Sequence, residues 1–406
     1  MYLTISKRFE ISASAHLGVP GWSDNRNEAA FGPASRARHG CGFNYVVDFV
    51  FDGPVDFQTG MLINVVIIKD RIKPLLDGRY DHRFLNRDCE SLRGRVPTAE
   101  NLARLWLDET RPLFGDVDAQ PVVCHVQDSL TSEATAYADG RVERHYWLSF
   151  SAARRTISPH LSDSENSELF GAAASEAGHG HNYRLRMTLD GVPDPASGLL
   201  AEHAPLAAAF ESLRTELDHK NLNVEVPALN GLPITTETLA WFVFERLART
   251  LPVNRVRLHE LPEFFAEYDR AGKHRLGIAQ SFHAAHRLHS PALNDERNLD
   301  IYGKCNNPLG HGHEYVVETT LGGRFDERSG TLYDFAKFNE ALESALRPWA
   351  YKHLDVDTDD FKDAPSTGEN IVTKLWPRMN GLVDNRLTRL RLWETPNNRF
   401  TLRRDR

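Results

Sequence analysis

Three landmarks recur three times in one order along this chain, and that repetition limits its possible folds more than any other feature. The first is a strand of small residues: Ile11-Ser12-Ala13-Ser14-Ala15, Phe150-Ser151-Ala152-Ala153-Arg154 and Phe282-His283-Ala284-Ala285-His286. The second ends in Asn-Tyr or Glu-Tyr, as Cys41-Gly42-Phe43-Asn44-Tyr45, His179-Gly180-His181-Asn182-Tyr183 and His311-Gly312-His313-Glu314-Tyr315. The third opens an amphipathic helix: Thr98-Ala99-Glu100-Asn101, Thr236-Glu237-Thr238 and Thr367-Gly368-Glu369-Asn370. From the last residue of the first landmark to the next Gly after an aromatic residue is 17 residues in all three copies, ending at Gly32, Gly171 and Gly303. Chance does not repeat such a register three times. The polar stretches Asp139–Arg144 and Arg270–His274 mark the seams and divide the chain into repeats 1–144, 145–273 and 274–406.

Each repeat of about 130 residues is the size of a small domain, too long for a solenoid unit. Alternation in Tyr315-Val316-Val317-Glu318-Thr319-Thr320-Leu321 predicts a strand. Phe335, Phe338, Leu342 and Leu346 stand at helical spacing, and the Thr-x-Glu segments predict helix starts. Strands such as Leu390–Glu394 close the unit. The fold class is α+β, a ββααββ unit repeated three times. A four-stranded sheet has bare edges, and joining three sheets edge to edge into an antiparallel barrel removes them.

A net charge of −8 argues against a broad nucleic-acid surface but leaves room for a local anion pocket. No stretch approaches the roughly 20 apolar residues of a membrane span, and Met1 to Leu17 lacks a signal peptide's apolar run. Four cysteines in 406 residues make no disulfide framework, so a cytoplasmic protein is expected.

The third repeat carries the chemistry. His311 and His313 are two apart on a predicted strand, so their imidazoles share a face, and His286 ends the neighbouring strand. Three histidines without a fourth protein ligand describe a catalytic zinc with one open position. Cys305 lies six residues before His311, and Lys304 and a nearby dication should lower its thiol pKa. Ala34 and Ala173 replace it in the other repeats.

Tyr302 to Tyr315, Phe282 to Leu288, Trp393-Glu394-Thr395 and Thr367 to Asn370 together resemble the 6-pyruvoyltetrahydropterin synthase and 6-carboxytetrahydropterin synthase family. The likeness covers all three repeats and is dense only in the third. It implies the tunnelling fold, in which three sheets close into a barrel and two barrels stack; here a homodimer would make a pseudo-hexamer. It implies a zinc-dependent lyase that converts dihydroneopterin triphosphate to 6-pyruvoyltetrahydropterin, eliminating triphosphate and moving protons along the side chain. In that reading His286, His311 and His313 hold zinc, Cys305 shuttles protons, and Thr367, Glu369 and Glu394 bind the pterin. The six-residue spacing of Cys305 favours the pyruvoyl type over the 6-carboxytetrahydropterin synthase of the deazapurine pathway. A dihydroneopterin side-chain aldolase is another alternative. A non-catalytic pterin-binding scaffold is the alternative of another class, and the intact zinc set with Cys305 argues against it.

The family also uses an Asp-His dyad that reaches the cysteine across a subunit interface. It is present as Asp218-His219 and Asp81-His82, whereas Ala350-Tyr351 stands at that place in the third repeat. Coordinated decay points to Asp218 and His219 as the pair serving Cys305, with Asp81 and His82 the other candidates. The first repeat has Ala15, Cys41 and Phe43 at the ligand positions and Gln127 where Glu394 stands. The second keeps His179, His181, Glu237 and Glu260 but has Arg154 as its third residue, so it could hold a pterin without converting it.

Overall fold

Twelve antiparallel strands close on themselves in the computed structural model, which describes residues 1–405. The first repeat supplies β1 (Tyr2–Ala15), β2 (Cys41–Asp52), β3 (Gln120–Ser129) and β4 (Ser132–Tyr137). The second supplies β5 (Val142–Arg154), β6 (His179–Gly191), β7 (Val253–Leu261) and β8 (Phe264–Asp269). The third supplies β9 (His274–His286), β10 (His311–Gly322), β11 (Leu387–Thr395) and β12 (Asn398–Arg403). Within each repeat the first strand pairs with the second, the second with the third and the third with the fourth. The fourth strand of each repeat then pairs antiparallel with a first strand: β4 with β5, β8 with β9, and β12 with β1. No strand of the ring keeps a bare edge, which is the closure the sequence calls for. Strand β5 begins at Val142, inside the segment expected to belong to the first repeat.

Among the described residues, nine helices of eight residues or more lie between the strands. They are α1 (Asp24–Phe31), α2 (Val65–Arg79), α3 (Ala99–Thr110), α4 (Asp163–Phe170), α5 (His203–Leu217), α6 (Thr236–Leu247), α7 (Asp295–Tyr302), α8 (Phe335–Leu346) and α9 (Gly368–Leu382). The short helices α1, α4 and α7, between the first two strands of each repeat, are absent from the expected ββααββ unit. Their polar sequences hide them from a periodicity argument. Their caps are legible: Ser23, Ser162 and Asn294 each accept an N–H of the first turn. One sheet face packs on α3, α6 and α9 through Tyr45, Tyr183, Tyr315, Trp106, Phe242 and Trp376. The other face carries ion pairs: Arg257 meets Glu267 at 2.6 Å and Glu318 at 3.2 Å. No helix among the described residues is long and apolar enough to cross a membrane.

One motif sews each seam. Thr98, Thr235 and Thr367 cap α3, α6 and α9, and each hydroxyl also donates to a glycine carbonyl of the next repeat in the ring. Those glycines, Gly198, Gly330 and Gly60, all have φ between 66 and 75°. The cap of α6 is Thr235, one residue before the expected Thr236. The glutamate two residues after each cap makes no capping box. Instead Glu100, Glu237 and Glu369 accept the backbone N–H of Leu200, Leu332 and Leu62 across the seam. The third repeat therefore adjoins the first through its own helix start.

A Cβ at Gly60 would meet Asn370 Nδ2 at 2.5 Å and Pro365 at 2.9 Å, whereas Gly94, at φ 75°, faces open space. Gly94→Ala should cost about 1 kcal/mol of backbone strain. Gly60→Ala should cost about 2–3 kcal/mol because seam contact adds to strain. Urea denaturation giving the two variants equal midpoints would show that the seam yields freely.

Candidate active site

Strand register brings the three histidines together. His286 pairs with His311 and Ala284 with His313 on β9 and β10, so all three side chains leave the helix-covered face. Their candidate ligand atoms lie within 4.8 Å of one another. His286 is fully buried, with Nδ1 3.0 Å from the Ser366 carbonyl. That bond directs its Nε2 to the centre, 3.2 Å from His311 Nε2. Two imidazole nitrogens at that distance cannot both be protonated. Burial pushes His286 down to about 3 and His313 to about 4, and lowers His311 as well. Neutral, converging imidazoles with a buried and unpartnered His313 Nε2 fit a metal ion.

Cys305 sits half-buried beside them, its carbonyl accepting the Leu288 N–H at 2.9 Å. Burial raises its thiol pKa, Glu394 adds to the rise, and Lys304 pulls the other way. The lowered thiol expected from Lys304 is thus not produced by the protein's own charges, because the sequence shows the cation but not the burial.

Two carboxylates border the histidines. Glu394 Oε1 is 3.7 Å from His286 Nε2 and 3.9 Å from His313 Nε2, and burial lifts its pKa to about 7. Glu369 is fully buried and likewise raised to about 7, with one oxygen accepting the Leu62 N–H at 3.0 Å. Thr367 caps α9 and donates to Gly60 at 2.7 Å. The first repeat thus supplies one wall, and Lys7, bonded to Asn398 at 2.9 Å, brings a cation near Glu394.

Sequence reasoning missed Leu62, Lys7, Ser366 and Asp355. Asp355 accepts the Arg287 N–H at 2.8 Å and the Ser366 hydroxyl at 2.9 Å, which fixes the carbonyl that holds His286. Asn86 and Asn223 make the same backbone bond to His16 and Arg155, so a comparison of repeats could have singled out this position.

The Asp-His dyads lie elsewhere. Asp218 accepts the Ser151 N–H at 2.8 Å and stands 3.0 Å from His219 Nδ1; Asp81 does the same with Ser12 and His82, each at 2.8 Å. Both imidazoles are 82% exposed. His82, His219 and Tyr351 share φ values of 56, 57 and 59°, which supports aligning Ala350-Tyr351 with the dyads. Each loop runs beside the first strand of its own repeat, and the third site borders the first repeat instead of the second. Within one chain the Asp218-His219 loop lies along β5, while the first repeat's Leu62 walls the third site.

The other repeats have lost the histidine set in different ways. Ala15, Cys41 and Phe43 occupy the first repeat's ligand register, and His16 turns away to the Ala37 carbonyl at 3.0 Å. Val126 pairs with Val47 as Leu392 pairs with Val317, so Asp128 and not Gln127 is the counterpart of Glu394. Glu100 to Asp128 is 28 residues but Glu369 to Glu394 is 25, and this difference in length hides the match from spacing alone. In the second repeat His179, His181 and Glu260 converge, but the Arg154 guanidinium is bonded to Glu260 among them. That fixed cation opposes a dication.

The 6-pyruvoyl tetrahydropterin synthase family model matches residues 4–139, 146–271 and 275–405. A 6-pyruvoyl tetrahydrobiopterin synthase of Drosophila melanogaster is 39% identical over 127 residues, 30% of this chain and 76% of its own length. That of Homo sapiens is 40% identical over 120 residues, 29% of this chain and 83% of its own. The solved 6-pyruvoyl tetrahydropterin synthase of Caenorhabditis elegans matches at 38% identity and a TM-score of 0.32, covering 32% of this chain and 95% of that one. The family match spans nearly the whole chain, one copy per repeat, and this chain belongs to the 6-pyruvoyl tetrahydropterin synthase family.

Proposed function

We propose that the third repeat is a zinc-dependent lyase site that converts dihydroneopterin triphosphate to 6-pyruvoyltetrahydropterin with loss of triphosphate. The observation that carries this reading is the coincidence of His286, His311, His313, Cys305, Glu369 and Glu394 at one seam, in a chain of this family. Zinc held by the three imidazoles would supply a Lewis acid for the hydroxyls of the substrate side chain. Glu369 and Glu394 accept the amino and ring N–H groups of the pterin, for which carboxylates are the natural partners. Thr367 sets the start of α9 and so the position of Glu369. Cys305 moves protons at the side-chain carbons, and Ser366 with Asp355 keeps His286 oriented.

The dyad comes in this reading from a second chain stacked on the open barrel end, where His82 and His219 stand exposed on left-handed backbone. Asp218 and His219 are the proposed pair, with Asp81 and His82 second. The assembly is then a homodimer with pseudo-hexameric form.

Four tests follow from this site. Incubation with dihydroneopterin triphosphate, read by mass spectrometry, should show triphosphate and 6-pyruvoyltetrahydropterin. Cys305→Ala should slow that turnover of order 10² or more while keeping its zinc; undiminished turnover would reduce the thiol to packing. Elemental analysis should find close to one zinc per chain, removed by His311→Ala without unfolding. Two or three tightly held zincs would show that Arg154 does not exclude the ion. Mixing inactive Cys305→Ala with inactive His219→Ala chains should restore turnover, because one mixed site would have both thiol and dyad. No recovery after subunit exchange, or a monomer by light scattering, would sink the trans arrangement.

A further inference from the structure

We propose that the second repeat holds a second, metal-free binding site for a pterin-like 2-amino-4-oxo heterocycle, at the seam between the second and third repeats. The ligand class rests on the reading of the third site given above; the site itself rests on separate observations. A cavity of about 320 Å³ lies there, bordered by Arg154, Glu237, Phe264, Leu276 and Phe335. That volume suits a small ring system.

The polar groups left free in the cavity define what fits. Arg154 and Glu237 are only 3% and 4% exposed. One Glu237 oxygen accepts the Leu332 N–H at 3.1 Å, and the carboxylate lines the cavity as Glu369 lines the third site. Glu260 is fully engaged by Arg154, Thr236 and, at 2.9 Å, His181 Nε2. Arg154 Nε and Nη1, by contrast, are buried without a partner. Buried guanidinium N–H groups left without an acceptor are costly and call for one. The ligand must therefore offer N–H donors to Glu237 and an oxygen to Arg154, which stands where His286 stands in the third repeat.

The first repeat shows what happens when this pocket is closed. Arg144 of β5 lies 2.7 Å from Asp128 and 3.7 Å from Glu100, the counterparts of Glu260 and Glu237. Its guanidinium donates to Asp128 and sets its charge in ion-pair range of Glu100, so the chain's own cation occupies the place beside that carboxylate pair. By strand register Arg144, opposite Leu189 and Ala134, corresponds to Leu276, opposite Leu321 and Ala266. Leucine at that position leaves the second pocket open. With Ala173 at the cysteine position and Arg154 at a ligand position, the second site binds and does not convert.

Equilibrium dialysis of the full chain with neopterin tests this. Two neopterins should bind per chain, and one should remain after chelator treatment, Glu369→Gln, Glu237→Gln or Leu276→Arg. The last two should weaken the second site at least tenfold while Cys305-dependent turnover persists, which also shows that the variants fold. Leu276→Arg installs the plug already present in the first repeat, so it does not depend on removing a buried carboxylate. A single neopterin lost with Glu369→Gln and indifferent to Glu237→Gln and Leu276→Arg would overturn the second site and leave the third-site reading standing. A single neopterin with the opposite pattern would uphold the second site and remove the third. No binding at all would overturn both.

Discussion

Closure of the sheet is the constraint from which the rest follows. None of the three sheets can exist alone without an exposed edge, and the β12–β1 pairing joins the last strand of the chain to its first. Once closed, the ring sets each helix start against the next repeat, and the Thr-to-glycine bonds lock that approach. The same contact places one glutamate per seam in a fully buried position with a backbone N–H across the boundary. Ligand pockets are thus by-products of closure, and there are necessarily three positions for them.

Joining three repeats in one chain frees each pocket to change separately. The third keeps three histidines and a thiol, the second trades a histidine for Arg154, and the first receives Arg144 from its neighbour. In every case a positive or positive-binding group is held near the two carboxylates. Buried acids at these seams need such company, because isolated buried carboxylates are expensive. Glu237 has a backbone N–H and a distant guanidinium, and burial still raises it to about 7.

Much of this was legible before any coordinates. Repeat order, strand faces, the His286–His311–His313 set and barrel closure all follow from period-2 and register arguments, because strand pairing is local and rigid. What could not be read involves the third dimension between repeats. Leu62 and Lys7 reach the third site from 307 and 391 residues away in the chain. The segment from Glu100 to Asp128 is three residues longer than that from Glu369 to Glu394, so counting along the chain passes over Asp128. The ring's sense, and hence the neighbour of Cys305, leaves no trace in residue spacing.

Tyr2 lies directly across from Arg403, so the two ends of the chain meet as adjacent strands. The barrel therefore records only the cyclic order of its repeats and is indifferent to where the polypeptide starts. A short linker between the present ends, with a new opening in the Asp139–Arg141 turn, would preserve every strand pair while changing which repeat is translated first. The ring of strand pairs itself assigns no repeat the place of first or last.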